Sequence, residues 1–448
     1  DVGSVALFVH GIQWIGYTLH FPDWLTIFLA QGLGGGINTV LPLVPQIGMM
    51  YLFLSFLEDS GYMARAAFVM DRLMQALGLP GKSFVPLIVG FGCNVPSVMG
   101  ARTLDAPRER LMTIMMAPFM SCGARLAIFA VFAAAFFGQN GALAVFSLYM
   151  LGIVMAVLTG LMLKYTIMRG EATPFVMELP VYHVPHVKSL IIQTWQRLKG
   201  FVLRAGKVII IVSIFLSAFN SFSLSGKIVD NINDSALASV SRVITPVFKP
   251  IGVHEDNWQA TVGLFTGAMA KEVVVGTLNT LYTAENIQDE EFNPAEFNLG
   301  EELFSAVDET WQSLKDTFSL SVLMNPIEAS KGDGEMGTGA MGVMDQKFGS
   351  AAAAYSYLIF VLLYVPCISV MGAIARESSR GWMGFSILWG LNIAYSLATL
   401  FYQVASYSQH PTYSLVCILA VILFNIVVIG LLRLSLIHIS EPTRRVVI

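Results

Sequence analysis

Charge is scarce in this chain. Only 12% of its 448 residues are Asp, Glu, Lys or Arg, about half the ~25% share of a soluble domain. Hydrophobic residues make up 55%, and mean hydropathy is +0.67. A soluble globular fold is thereby excluded, and at a net charge of −4 no nucleic-acid partner is expected. Cysteine is equally sparse: four residues without paired spacing exclude a disulfide framework. The chain opens on Asp1 with neither an initiator Met nor a basic n-region, so it carries no cleavable signal peptide and reads as cut from something longer. H-E-x-x-H and G-x-S-x-G are absent, and the histidines lie in or beside loops or interfaces, so no enzyme is expected. The stretch Ala76 to Ser83, ALGLPGKS, resembles a P-loop, but Ala76 stands where the first Gly must let backbone amides wrap phosphate.

What the chain has in quantity is apolar segments of membrane length. Full spans are expected near Ile37 to Leu57, Leu111 to Phe137, Leu143 to Leu163, Val208 to Leu224, Tyr355 to Ala375, Met383 to Ala405 and Tyr413 to Leu432. Seven Lys/Arg between 164 and 207 mark that loop as cytoplasmic. Alternation then puts residues 58–82 and 102–110 on the cytoplasmic side too, and 225–257 and 285–349 on the outer side. Two further apolar stretches, Phe84 to Ala101 and Trp258 to Tyr282, are therefore flanked by loops on one face each, and they dip from opposite faces. The expected fold is an all-α polytopic membrane protein of about seven full spans plus two re-entrant broken helices in an inverted repeat. Its divisions are an outer interfacial segment 1–36, a first repeat 37–163, the basic loop 164–207, a second repeat 208–377, C-terminal spans 378–433, and a tail 434–448. The tail, from LSLIHISEPTR, resembles a translated sequencing adapter and is set aside.

Polar residues inside the apolar segments are few, which makes each informative. Gly90, Gly92 and Pro96 weaken the first broken stretch around Cys93 and Asn94. Lipid offers no water to freed carbonyls, so such backbone survives only inside protein or lining a polar cavity. A kink that merely lets helices pack is the alternative. Lys271 and Glu272 lie together in the second broken stretch, a pathway pair or a structural ion pair. Pro118 precedes Cys122 and Arg125, and Pro366 precedes Cys367, which makes a second, weaker pair of breaks. Three of the four cysteines thus sit beside Pro or Gly at membrane depth, while Cys417 lies in an unbroken run. Thiolate, amide, carbonyl and carboxylate donors together suit a borderline divalent transition metal, Fe(II), Zn, Mn, Co or Ni, better than a sugar, nucleoside or proton. Glu58 and Asp59, ending the first span, are an exit-side carboxylate site or helix-end charges paired with Arg65. The outer loop 285–349 holds fourteen Asp/Glu against three Lys, a net −11 in a chain otherwise at +7, which makes it a cation-concentrating vestibule or a solvated loop. The small-residue face Ala351 to Ala354 suggests a homo-oligomer.

GFGCNVPSVMGART (Gly90 to Thr103), LEDSGYMARAAFVMDR (Leu57 to Arg72), APFMSCGAR (Ala117 to Arg125), GAMAKEVVVGTL (Gly267 to Leu278) and YVPCISVMGAIARE (Tyr364 to Glu377) resemble the membrane domain of the bacterial ferrous iron transporter B family. The resemblance covers residues 1 to about 433, and the two broken stretches match the family's paired Gate motifs. It implies Fe2+ uptake, with Fe2+ as substrate, by a multi-pass protein of the bacterial inner membrane. It further implies an N-terminal GTPase domain, absent here, as the seat of any GTP/Mg2+ chemistry, and small cytoplasmic accessory proteins as partners. A nucleoside or other solute carrier with Gate-type helices, or another divalent-metal transporter, is the alternative.

Overall fold

The computed structural model describes residues 11–20, 29–168, 185–207, 235–283 and 338–439 apart from 42, 270 and 272, together with residues 9, 22, 26, 182, 210–211, 213–215, 219 and 304. Among these residues the chain is helical throughout and contains no strand. Four stretches are long and apolar enough to cross a bilayer: Pro107–Tyr165, Ala351–Glu377, Arg380–Ala405 and Pro411–Leu432. A fifth candidate is the pair Tyr62–Ala76 and Gly81–Gly92, bent by 104°. The expected count of seven is thus four or five among the described residues. Part of the difference is the first apolar run, which divides near Leu41 and continues as α1, Leu43–Asp59, of 17 residues. Val208 to Leu224 lies largely outside the described residues.

Four apolar helical stretches are interrupted among the described residues. The first is α2 (Phe84–Gly92) followed by α3 (Asn94–Gly100). These are roughly 14 and 10 Å long at 1.5 Å per residue, so neither can cross a ~30 Å hydrocarbon core. They pack against each other as a hairpin, and the Ser97 hydroxyl donates to the Pro86 carbonyl at 2.7 Å to hold them together. The second runs from α4 (Pro107–Met116) through a 3-10 turn at Ala117–Phe119 to α5 (Gly123–Phe132). The third is α6 (Trp258–Met269) and α7 (Val273–Thr283), again packed together. The fourth is α8 (Ala351–Leu363) and α9 (Ile368–Glu377). Two uninterrupted helices brace them, α10 (Gly141–Tyr165) and α11 (Arg380–Ala405).

The main apolar core lies where the second and fourth stretches meet. Phe132 stacks on Tyr357 with ring centroids 5.3 Å apart, and Phe348 meets the same tyrosine edge-on at 5.3 Å. The Tyr357 hydroxyl donates to the Ala260 carbonyl at 3.0 Å, which ties the third stretch to this core. Ala353 and Ala354 are fully buried in it. Two of the four small residues of Ala351 to Ala354 are thus spent on internal packing against α11, while Ala351 stays exposed. Pro411–Leu432 is the opposite case. Only 6% of its most apolar window is buried, and Leu415, Val416, Leu419 and Leu423 face outward, a surface suited to lipid and not to water.

Candidate functional site

Each of the three cysteines at a break occupies the same local position. Cys93 is extended, with φ −154° and ψ 131°, and immediately precedes α3. Cys122 (φ −82°, ψ 166°) immediately precedes α5, and Cys367 (φ −59°, ψ 155°) immediately precedes α9. All three are outside any disulfide and partly buried, and none caps its own helix. Each sits at the positive end of a helix dipole, where a negative charge is favoured. The break in the first stretch falls on Cys93 itself, not on the flanking glycines. Gly90 is helical, and a Cβ there would lie 3.0 Å from the Met120 side chain and 3.2 Å from Asn94 Oδ1, so its smallness serves close approach. Pro96 falls in the first turn of α3, where its missing N–H leaves no helical bond unmade.

The first two breaks meet at one carbonyl. Asn94 is buried, and its Nδ2 donates to the Met120 carbonyl at 3.2 Å. Arg125, 0% exposed, donates from Nη1 to the same oxygen and to the Pro118 carbonyl, each at 3.0 Å. Pro118 and Met120 belong to the turn that breaks the second stretch, so a side-chain guanidinium supplies donors that the interrupted helix lacks. A Cβ on Gly123 would lie 3.9 Å from the Gly92 carbonyl oxygen and 3.6 Å from Gln46 Nε2. A Cβ on Gly92 would lie 3.2 Å from Met50 Sδ. Gln46 and Met50, both on α1, thus line the junction beside Cys93 and Cys122.

The third and fourth breaks meet at Tyr364. Its buried ring lies under Lys271 Nζ, 4.9 Å from the centroid, and its hydroxyl oxygen is 2.5 Å from where a Cβ on Gly267 would sit. Arg125 and Cys367 are both within electrostatic reach of it. Pro366 stands in the non-helical segment between α8 and Cys367, where its ring disfavours helical backbone at the residue before it. The bracing helices press on two of these turns through glycine. A Cβ on Gly152 of α10 would be 2.8 Å from the Phe119 carbonyl oxygen, and one on Gly390 of α11 would be 3.2 Å from that of Leu363. Gln46, Met50 and Tyr364 are the contributors that sequence reasoning passed over. Gln46 was visible as an amide beside Pro45 in an apolar run, and Tyr364 as the aromatic opening YVPC.

Other expected residues fall elsewhere. Glu58 does not pair with Arg65. Its Oε2 accepts from Arg197 Nη2 at 2.9 Å, while the Arg65 guanidinium lies 3.4 Å over the Tyr182 ring. Asp59 is the last residue of α1 and is half-buried. Glu272 and most of the acidic loop, with Glu290, Glu291, Glu301 and Glu302, lie outside the described residues, but the loop's last part is a helix, Thr338–Phe348, whose Ala340, Met344 and Phe348 are buried in the core, so that part is not a solvated loop. The P-loop-like turn is closed on itself: the Gly81 N–H donates to Asp71 Oδ1 at 2.8 Å, and Lys82 pairs with Asp105 at 3.4 Å. Among the described residues no three His, Cys, Asp or Glu side chains converge closely enough to hold a metal ion together. The groups the described residues present along the breaks are thiols, amides and carbonyls. The buried cations Arg125 and Lys271 work against a dication. At roughly 8 Å and an effective dielectric near 20, each would repel a 2+ ion by about 4 kcal/mol, so anionic donors are needed nearby.

Comparison with known proteins gives two family matches. One, described as Gate: Nucleoside recognition, matches residues 40–136 and 202–380. The other, described as Ferrous iron transport protein B C terminus, matches residues 145–197. The chain is 99% identical over 433 residues to the Fe(2+) transporter FeoB of Shigella flexneri and 95% identical to that of Salmonella typhimurium, in each case 97% of this chain and 56% of the relative. To the Fe(2+) transporter FeoB of Legionella pneumophila it is 48% identical over 446 residues, 97% of this chain and 58% of the relative. The chain spans about half the length of the curated relatives it matches. No solved structure matches it.

Proposed function

The chain belongs to the ferrous iron transporter B family, and on that premise we propose that it is the permease part of a protein that takes up Fe2+ across the bacterial inner membrane. Its relatives are named for Fe(2+) and not for nucleosides, despite the description attached to the Gate match. The observation that carries the reading is the repeated placement of a cysteine at the start of a helix resuming after a break, three times in one bundle. Thiolate is a softer donor than the water an Fe2+ ion leaves behind, and it favours a transition metal over Mg2+ or Ca2+. With carbonyls and amides completing each step, the ion exchanges ligands along the junction and is never caged, which suits passage better than storage.

In this reading the acidic loop gathers Fe2+ outside, and Glu272 offsets Arg125 and Lys271 at the crossing. Cys122, Cys93 and Cys367 hand the ion inward, and Glu58 and Asp59 receive it. Seven full spans with two re-entrant elements would complete the repeat around this path. GTP and Mg2+ enter through a GTPase domain of the full-length protein, with small cytoplasmic accessory proteins as further partners. The test is Fe2+ uptake by full-length protein in cells lacking their own transporter. Cys93→Ser, Cys122→Ser and Cys367→Ser should each lower uptake by about tenfold or more, as loss of a metal-site donor commonly does, while Cys417→Ser should leave it unchanged. Equal and negligible effects at all four positions would sink the proposal.

A further inference from the structure

Helices α3 and α9 pack side by side, the first from the 40–136 segment of the Gate match and the second from the 202–380 segment. Cys93 precedes α3, and Arg102 follows it in a 3-10 turn, Ala101–Thr103. Cys367 precedes α9, and Glu377 ends it. The intervals from thiol to charge are nearly equal, roughly 14 and 15 Å of helix. At the far ends Arg102 and Glu377 form a bidentate pair, in which Nε and Nη2 donate to the two carboxylate oxygens. The Glu377 side chain is 6% exposed and that of Arg102 54%, so the carboxylate is held inside while the guanidinium reaches it from the surface. At the near ends Cys93 and Cys367 pack against one apolar cluster that includes Tyr51, Val98, Val370 and Ile374. The same cluster also holds Ala101 and Ala373, so the two helices are joined at their C-terminal ends, packed along their length, and begin at Cys93 and Cys367.

We infer that Arg102 and Glu377 are positioning residues. They clamp α3 to α9 from the cytoplasmic side so that Cys93 and Cys367 are presented as a pair, one thiol from each half of the molecule. The fork geometry matters, because a guanidinium and a carboxylate joined by two parallel bonds fix mutual orientation as well as distance. The inference deepens the proposed passage of Fe2+ and rests on it for its purpose, though not for its geometry. Opening the clamp would separate the thiols and release an ion held between them toward the cytoplasm.

The experiment uses full-length protein in native membranes, with Cys93 and Cys367 as its only thiols and a protease site within residues 169–184. A short bifunctional thiol reagent should join the two fragments in the parent protein. E377Q, which keeps the shape and volume of the side chain, and R102E should each lower the cross-link by roughly two- to fivefold, the range expected when a half-exposed ion pair is lost. The swap R102E/E377R should restore it, and R102K, unable to make the fork, should fall between. A parent that does not cross-link, a cross-link unchanged in E377Q, or a swap that restores nothing would overturn the inference. If the cross-link behaves as expected while Cys93→Ser and Cys367→Ser leave Fe2+ uptake intact, the clamp stands and the transport reading fails.

Discussion

Replacing Gly152 by Ala tests how tightly α10 holds the turn that breaks the second stretch. The added Cβ would lie 2.8 Å from the Phe119 carbonyl oxygen, where ordinary contact begins near 3.4 Å, so the helix or the turn must give by about 0.6 Å. Both parties are backbone, and no flexible side chain can swing aside. Overpacking of this kind costs about 1–3 kcal/mol, against which Ala gains about 0.8–1 kcal/mol in helix propensity. The net expectation is a loss of about 1 kcal/mol, with displacement of the Pro118 to Cys122 turn. Two positions in α11 calibrate the argument. At Gly390 the nearest contact is 3.2 Å, short by about 0.2 Å, so the terms nearly cancel. At Gly384 nothing lies within 4 Å, and Ala should stabilise. Heating full-length protein in detergent and following the monodisperse fraction by size exclusion would rank the variants Gly384→Ala, Gly390→Ala, Gly152→Ala from most to least stable. Fe2+ uptake at matched expression should fall only in Gly152→Ala. A Gly152→Ala protein as stable as Gly384→Ala would refute the close approach and the bracing role drawn from it.

Arg125→Met removes two charge-assisted hydrogen bonds, each worth ~1.5–3 kcal/mol, and strips the Pro118 carbonyl of the donor it has in the structure. Relief of a buried cation offsets part of this, so melting should fall by the equivalent of roughly 2–3 kcal/mol, with Arg125→Lys milder; a Met variant that melts like the parent would remove Arg125 from its place at the junction. Neutralising Glu290, Glu291, Glu301 and Glu302 together should slow uptake at low Fe2+ and low ionic strength and leave the maximal rate unchanged, because surface charge acts on encounter and is screened over ~10 Å at 0.1 M salt. A lower maximal rate would make these carboxylates part of the gate, and labelling of their loop from the cytoplasmic side would overturn the import direction.

Much of the site was legible because membrane depth leaves few polar residues to choose among. Gly and Pro inside apolar runs mark the neighbourhood of the breaks at Cys93, Cys122 and Cys367, and each is a break in the structure, although the first falls on Cys93 and leaves Gly90, Gly92 and Pro96 helical. The span count was less legible. Hydropathy measures how apolar a segment is and not whether its helix continues, so Leu111 to Phe137 and Tyr355 to Ala375 read as single spans although each is interrupted near its middle.

The sequence by itself determined the membrane environment, the helical class and the places where helices stop, since these depend on composition and on local backbone chemistry. It could not choose partners. Whether Glu58 pairs with Arg65 or with Arg197, whether Ala353 faces another copy or its own core, and whether Arg125 meets a carboxylate or two carbonyls are settled by which helices lie side by side. The tertiary structure alone brought Asn94 and Arg125 to one carbonyl of Met120, set Lys271 over Tyr364 and joined Arg102 to Glu377 across 275 residues. Such contacts depend on long-range packing in which a shift of one helix by less than an ångström exchanges one partner for another, and no local pattern in the chain records that choice.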